Sequence, residues 1–207
     1  MISHELKCIF IHIPRTAGTS IEKFLVGTDW WRFDRRTKHL VASQAKKIYK
    51  EYWDDYFKFS FVRNPYSRML SMASYSSNMR RIYFGNETLL SDLISREFIN
   101  GYRELFGQKI LLEHDHRFYK RSEIITNKHK PGCVYGNILD ENLDFVGRFE
   151  TLADDMKYIC DTLKVNKMRK LPIIGQGKHD KRLDIHAQHL INTIYKDDFT
   201  FYNYPLD

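Results

Sequence analysis

Residues 9 to 20 read Ile9-Phe10-Ile11-His12-Ile13-Pro14-Arg15-Thr16-Ala17-Gly18-Thr19-Ser20. An apolar, β-type run stops at Pro14 and gives way to a turn of small and hydroxyl-bearing residues, after which Ile21-Glu22-Lys23-Phe24-Leu25 continues as a helix. A strand feeding such a turn and then a helix gathers backbone N–H groups, hydroxyls and one cation, Arg15, around a single point, as proteins do to hold phosphate-like anions. The expected ligand is a phosphorylated or sulfated nucleotide. The nucleoside triphosphatase pattern G-x-x-x-x-G-K-[ST] is not met, because Gly18 stands alone, with Arg15 ahead of it and no Lys behind it.

A second segment, Phe59-Ser60-Phe61-Val62-Arg63-Asn64-Pro65-Tyr66-Ser67-Arg68-Met69-Leu70-Ser71, repeats the strand, turn and helix design with a cation at the strand end. Pro65 suits the first turn of a helix, where its missing N–H costs nothing. Ser71 lies about two helical turns beyond Arg63, so both side chains can reach one phosphate.

These segments resemble the sulfotransferases that use 3′-phosphoadenosine 5′-phosphosulfate, most closely the branch acting on carbohydrates. His12 to Ser20 is similar to their 5′-phosphosulfate loop, with Arg15 where the usual form has Lys; Arg63 and Ser71 stand at the spacing of the pair that grips the nucleotide's 3′-phosphate. Asp144-Phe145-Val146-Gly147-Arg148-Phe149-Glu150-Thr151-Leu152 resembles a later strand and helix start, and Tyr195 to Tyr204 the closing helix and aromatic end. Residues 76 to 142 match only loosely. The resemblance implies an α/β fold, a P-loop-like three-layer sandwich with a central parallel sheet flanked by helices. It also implies a sulfuryl donor that leaves as adenosine 3′,5′-bisphosphate, and a sugar or glycan hydroxyl as acceptor.

Sulfuryl transfer to an alcohol needs an in-line approach, a base for the hydroxyl proton, and positive charge where the leaving phosphate gains negative charge; no metal is required. Arg15 would steady the leaving oxygen, with Thr16, Ala17, Gly18, Thr19 and Ser20 holding the 5′-phosphosulfate. Arg63 and Ser71 would take the 3′-phosphate, and Arg68 is a further candidate on the same helix. His39 is the first choice of base, since imidazole titrates near neutral pH and its place after Trp30-Trp31-Arg32-Phe33 resembles that of a histidine in glycan-modifying relatives. Glu22 and His12 compete for that role. Lys178, His179 and Arg182 could close over the nucleotide, and His114, His116, Arg117 and Lys120 could meet an acidic acceptor. Two other readings stay open: a P-loop-like kinase or nucleotide hydrolase, and a non-catalytic binder of nucleotides or polyanions.

Composition narrows the classes. With 207 residues and 43% hydrophobic content, one sulfotransferase-like domain over residues 1–207 is expected. Thirty-three basic against twenty-six acidic side chains leave a net charge of +7, which attracts anions without naming one. The Phe and Tyr residues mostly follow strand and helix patterns and belong to a core, so no nucleic-acid partner is expected. Cys8, Cys133 and Cys160 are odd in number and widely spaced, which indicates small buried thiols and neither a disulfide framework nor a metal site. Residues 1 to 7 lack the apolar region of a signal peptide and no window approaches a membrane span of roughly 18 apolar residues, so a cytoplasmic protein is expected.

The elements that must position these residues alternate between strand and helix. Strands are expected over Lys7–Ile13, Trp30–Phe33, Phe57–Arg63 and Leu143–Phe149. Helices are expected over Thr19–Val26, capped near Thr19 or Ser20 and ended by Gly27, then Ala42–Tyr52 with Ser43 and Gln44 open to solvent, Tyr66–Ser76, Glu150–Leu163 and Asp184–Tyr195. One broken helix or two are expected over Asn86–Phe106, interrupted at Gly101, and Lys130-Pro131-Gly132 reads as a turn. Such alternation implies parallel strands with ligands gathered beyond their C-terminal ends, where both anion turns sit.

Overall fold

The computed structural model describes residues 1–34, 36–75, 132–165, 171–172, 183 and 185–206, with the side chains of 72–75, 186, 187 and 190 left aside. They belong to two compact units, one built on residues 1–63 and 138–174, the other on 64–137 and 175–207. The expected helix over Asn86–Phe106, the basic cluster from His114 to Lys120, and Lys178, His179 and Arg182 lie outside the described residues.

The first unit is a mixed α/β layer around one sheet. Strands β1 (Ile2–Ser3), β2 (Cys8–Ile11), β3 (Phe57–Val62) and β4 (Phe145–Arg148) lie in the order β1-β2-β3-β4. The pairs β2–β3 and β3–β4 are parallel, while β1 adds an antiparallel edge that the sequence reading did not anticipate. Strand β3 is interior to the sheet and nearly all of it is buried. Its aromatic face joins Phe59 and Phe61 to Phe10, to Ile21, Phe24 and Leu25 of the following helix, and to Met156, Ile159 and Cys160. Each such phenylalanine contributes roughly 1.5–3 kcal/mol by leaving water. The other face carries Lys58 and Ser60, whose polar ends are satisfied: Lys58 Nζ donates to the carbonyls of Trp53 and Tyr56 at 3.0 and 2.8 Å, and Ser60 Oγ to that of Ile11 at 2.7 Å.

Helix α1 (Gly18–Val26) ends as expected at Gly27, whose φ of 76° lets its N–H reach the carbonyl of Lys23 at 3.1 Å. Its start differs from the expectation. The N-cap is Ala17, not Thr19 or Ser20, because the chain enters through a left-handed Ala17 whose carbonyl takes the N–H groups of Ser20 and Ile21. Residues 30–33 also differ: they form a short helix, α2 (Trp30–Phe33), rather than a strand. The Asp29 carboxylate caps it by accepting the Trp31 N–H at 2.9 Å, a local signal stronger than the β propensity of consecutive aromatics.

The helix expected over Ala42–Tyr52 divides into α3 (Ala42–Ile48) and α4 (Lys50–Trp53) at Tyr49, whose φ and ψ of −103° and 27° leave the helical region. Ser43 N–H is not turned to solvent but is accepted by Asp140 at 2.8 Å. Helix α7 (Leu152–Thr162) then packs on β4. Cys8, Cys133 and Cys160 are all buried free thiols, and burial pushes Cys8 up to about 12.

In the second unit, α5 (Pro65–Tyr75) starts from Asn64, whose side chain accepts the N–H groups of Tyr66 and Ser67 at 2.9 and 3.3 Å. Helix α6 (Val134–Ile138) is held by Asp198 of α9 (Lys196–Phe201), which follows α8 (Ile185–Ile194). That carboxylate is fully buried and accepts from the backbone of Val134, Tyr135 and Gly136 at 2.5–3.3 Å. Tyr66 packs on Phe199 with ring centroids 5.0 Å apart. Among the described residues no helix is long and apolar enough to cross a membrane.

Candidate active site

The chain leaves β2 at Ile11 and reaches α1 through a loop with two left-handed residues, Arg15 at φ 69° and Ala17 at φ 68°, separated by Thr16. For side-chain-bearing residues each costs about 1–3 kcal/mol, so the surroundings must impose it. Thr16 helps to do so: it is fully buried and its hydroxyl donates to the carbonyl of Ile13 at 2.8 Å. Alternation of handedness turns successive N–H groups toward one concave side, and here the concavity opens at the start of a nine-residue helix, where the dipole adds positive potential.

Gly18 is needed for a different reason from the usual one. A Cβ at that position would stand 2.1 Å from Cδ2 and Nε2 of His12, so the loop backbone rests directly on the imidazole. His12 is buried and its Nδ1 meets Glu22 Oε1 at 2.7 Å. Glu22 is fully buried; its second oxygen accepts from Lys38 Nζ at 2.9 Å and from the Trp30 N–H at 3.1 Å. Lys38 is buried too, pairs with Asp29, and reaches Thr19 Oγ1 of the loop at 3.3 Å.

Burial alone would raise the Glu22 carboxyl, but the neighbouring His12 and Lys38 outweigh it and bring it down to about 2. Glu22 is therefore ionised, with both oxygens committed to partners, and acts as an anchor for its neighbours rather than as a proton acceptor for an incoming alcohol. Burial lowers the His12 pKa against the pull of the Glu22 carboxylate, toward which the Nδ1 proton is directed.

His39 is buried against the same histidine. The rings lie 4.4 Å apart, and His39 Nδ1 is 2.9 Å from the backbone oxygen of His12. A carbonyl can only accept, so Nδ1 of His39 carries a proton, and in the neutral ring the lone pair is on Nε2. His12 Nε2, by contrast, lies along the Gly18 backbone, which makes that ring a brace for the loop.

Arg63 follows β3, and parallel pairing brings the end of β3 beside the end of β2. Its Nη1 donates to the backbone carbonyl of Arg15 at 3.3 Å, so the end of β3 meets the loop that follows β2. The guanidinium carbon lies 3.9 Å from the centroid of the Phe149 ring. Ser20 is buried in the first turn of α1, and Ser71 is buried on α5 in the second unit. Arg68 is enclosed in that second unit, where its Nη1 donates to Tyr195 Oη at 2.5 Å and its guanidinium lies 5.6 Å from the Tyr135 ring centroid.

Two participants escaped the sequence reading. Lys38 gives no local motif, since its partners are 9, 16 and 19 residues away. Phe149 could have been found from the resemblance of Phe145 to Leu152 only by also knowing which residue of β3 it stands beside.

The family model described as "Sulfotransferase family" matches residues 1–205. Carbohydrate sulfotransferase 12 of Mus musculus is 24% identical over 220 residues, covering 94% of this chain and 49% of the relative. The protein of the same name from Xenopus laevis is 23% identical over 215 residues, covering 93% of this chain and 49% of its own length. The chain thus spans about half the length of the curated relatives it matches. No solved structure gives a significant match. A family match over nearly every residue, on a sheet whose strand end at Arg63 meets the loop bearing Arg15, has one reading: the chain belongs to the sulfotransferase family.

Proposed function

We propose that this protein transfers a sulfuryl group from 3′-phosphoadenosine 5′-phosphosulfate to a hydroxyl of a sugar or glycan by in-line displacement, on a P-loop-like three-layer scaffold formed by a single domain. The observation that carries the reading is the contact of the Arg63 guanidinium, at the end of β3, with the backbone carbonyl of Arg15 in the loop that follows the parallel strand β2. The names of the two relatives support a carbohydrate acceptor.

In this reading the loop N–H groups of residues 16–19 and the Arg15 guanidinium hold the 5′-phosphosulfate, and Ser20 is assigned to it from the sequence resemblance. Arg63 takes the 3′-phosphate, and Ser71 is assigned to the same phosphate from the sequence resemblance. The acceptor oxygen forms a bond to sulfur as the bond from sulfur to the phosphate oxygen breaks, releasing adenosine 3′,5′-bisphosphate. Arg15 offsets the charge on that leaving oxygen, and the hydroxyl proton passes to His39 Nε2.

Calorimetric titration with adenosine 3′,5′-bisphosphate and with ADP tests the donor. The bisphosphate binds in the micromolar range and ADP much more weakly, and Arg63→Ala costs the bisphosphate about 1.5–3 kcal/mol, the loss of a charged hydrogen-bond partner. Equal affinity for the two nucleotides in the unaltered protein refutes the donor assignment.

A further inference from the structure

Phe149 has no side-chain polar atom with which to bind a nucleotide, yet it determines how the adjacent arginine presents itself. Parallel register places Val62 opposite Arg148, and the Phe149 N–H donates to the Val62 carbonyl at 2.8 Å. The next residue on each strand, Arg63 and Phe149, therefore fall side by side. With its central carbon 3.9 Å from the ring centroid, the guanidinium lies on the aromatic face and is attracted to it. The bond from Nη1 to the Arg15 carbonyl fixes rotation within the plane. A lysine at position 63 would keep the charge but have neither the plane nor the fork.

We propose that Phe149 is a positioning residue that makes the site discriminate nucleotides bearing a 3′-phosphate from those lacking one, by holding the Arg63 guanidinium in one plane against the carbonyl of Arg15. This rests on the donor reading above. A phosphate recognised by a fixed, planar donor set gains affinity because the ordering of a long side chain has already been met in the unbound protein. The ring acts only through Arg63, so its effect is confined to ligands that Arg63 touches.

The test compares adenosine 3′,5′-bisphosphate with adenosine 5′-monophosphate, which lacks only the 3′-phosphate, by calorimetry on the full chain. Phe149→Leu keeps apolar bulk and removes the ring; it lowers bisphosphate affinity about fivefold to tenfold and changes monophosphate affinity less than about twofold. Phe149→Tyr restores the original preference, and Arg63→Lys loses the preference as Phe149→Leu does. Thermal unfolding verifies that each variant is folded, with Phe149→Met replacing the leucine variant if that one is not. Equal losses for both nucleotides, an unchanged preference, or a tyrosine variant as weak as the leucine one overturns the inference. An unaltered protein that binds the two nucleotides equally strikes the donor reading itself, whereas discrimination that survives Phe149→Leu sinks only the role of the ring.

Discussion

Among the described residues two carboxylates, Glu22 and Asp198, are wholly buried, and their surroundings move them in opposite directions. Glu22 lies among His12 and Lys38 and is lowered to about 2. Among the described residues the donors to Asp198 are neutral, the N–H groups of Val134, Tyr135 and Gly136 and the Cys133 thiol; burial raises it to about 6 against the pull of those bonds. Enclosure is shared, so the charge of the partner decides. The Glu22 cluster keeps an ion pair out of water beside the anion loop, an arrangement that apolar side chains of the same bulk would match in stability without fixing His12. The Asp198 cluster ties a short helix to a neighbouring one. One buried acid braces the loop after β2, the other joins two helices.

The largest expected effect lies on the Glu22 side. His39→Ala lowers sulfuryl turnover by about 10²–10⁴-fold, the usual contribution of a positioned base, while bisphosphate affinity stays within about twofold. Unchanged turnover, measured by release of the bisphosphate, moves the base elsewhere. Next, Glu22→Gln leaves Lys38 enclosed against a weakened set of partners and lowers stability by about 3–5 kcal/mol in urea unfolding. Adding Lys38→Met to Glu22→Gln recovers part of that loss; simple additivity of the two single effects would contradict the coupling.

The smallest effect is the dependence of stability on pH, and here the two acids carry opposite signs. Glu22 is depressed from its ordinary 4.5, so its contribution is complete above about 4.5 and is withdrawn as pH falls toward about 2. Asp198 is raised from its ordinary 3.8, so the folded chain binds the extra proton, and stability rises as pH falls from about 6 toward 3.8. Asp198→Asn removes that rise, amounting to a few kcal/mol at about 1.4 kcal/mol per pH unit. Thermal unfolding followed from pH 7 to 4, with a slope identical in the variant, would show that Asp198 is not the source.

Much of the sheet and the loop was legible because a few residues determine them locally. Phe57 to Val62 alternates Phe57, Phe59 and Phe61 with Lys58 and Ser60, the period of two that marks a strand. Gly27 marks the end of α1 through its left-handed φ. Trp30–Phe33 was misread because adjacent aromatics suggest a strand, whereas the deciding group, the Asp29 carboxylate, stands one residue outside the segment. The division at Tyr49 falls within a run whose composition suits a continuous helix.

At the candidate site, Arg15, Arg63 and His39 were singled out from spacing and resemblance, whereas what separates His39, Glu22 and His12 from one another lies in geometry. Hydrogen-bond partners distinguish the three, and partners separated by 10 to 27 residues follow no periodicity that a sequence displays. Lys38 illustrates the same limit: one ammonium joins three segments, and only folding brings them together.

The brace beneath the loop sets a spacing. His12 supports Gly18 with its ring and holds His39 with its backbone oxygen, so the same residue fixes both the loop backbone and the neighbouring imidazole. Moving either one shifts the other. A glycine with no side chain and a histidine pinned by the Glu22 carboxylate thus work as a gauge: the distance from the loop to the second imidazole is set by one residue, its ring on one side and its carbonyl on the other.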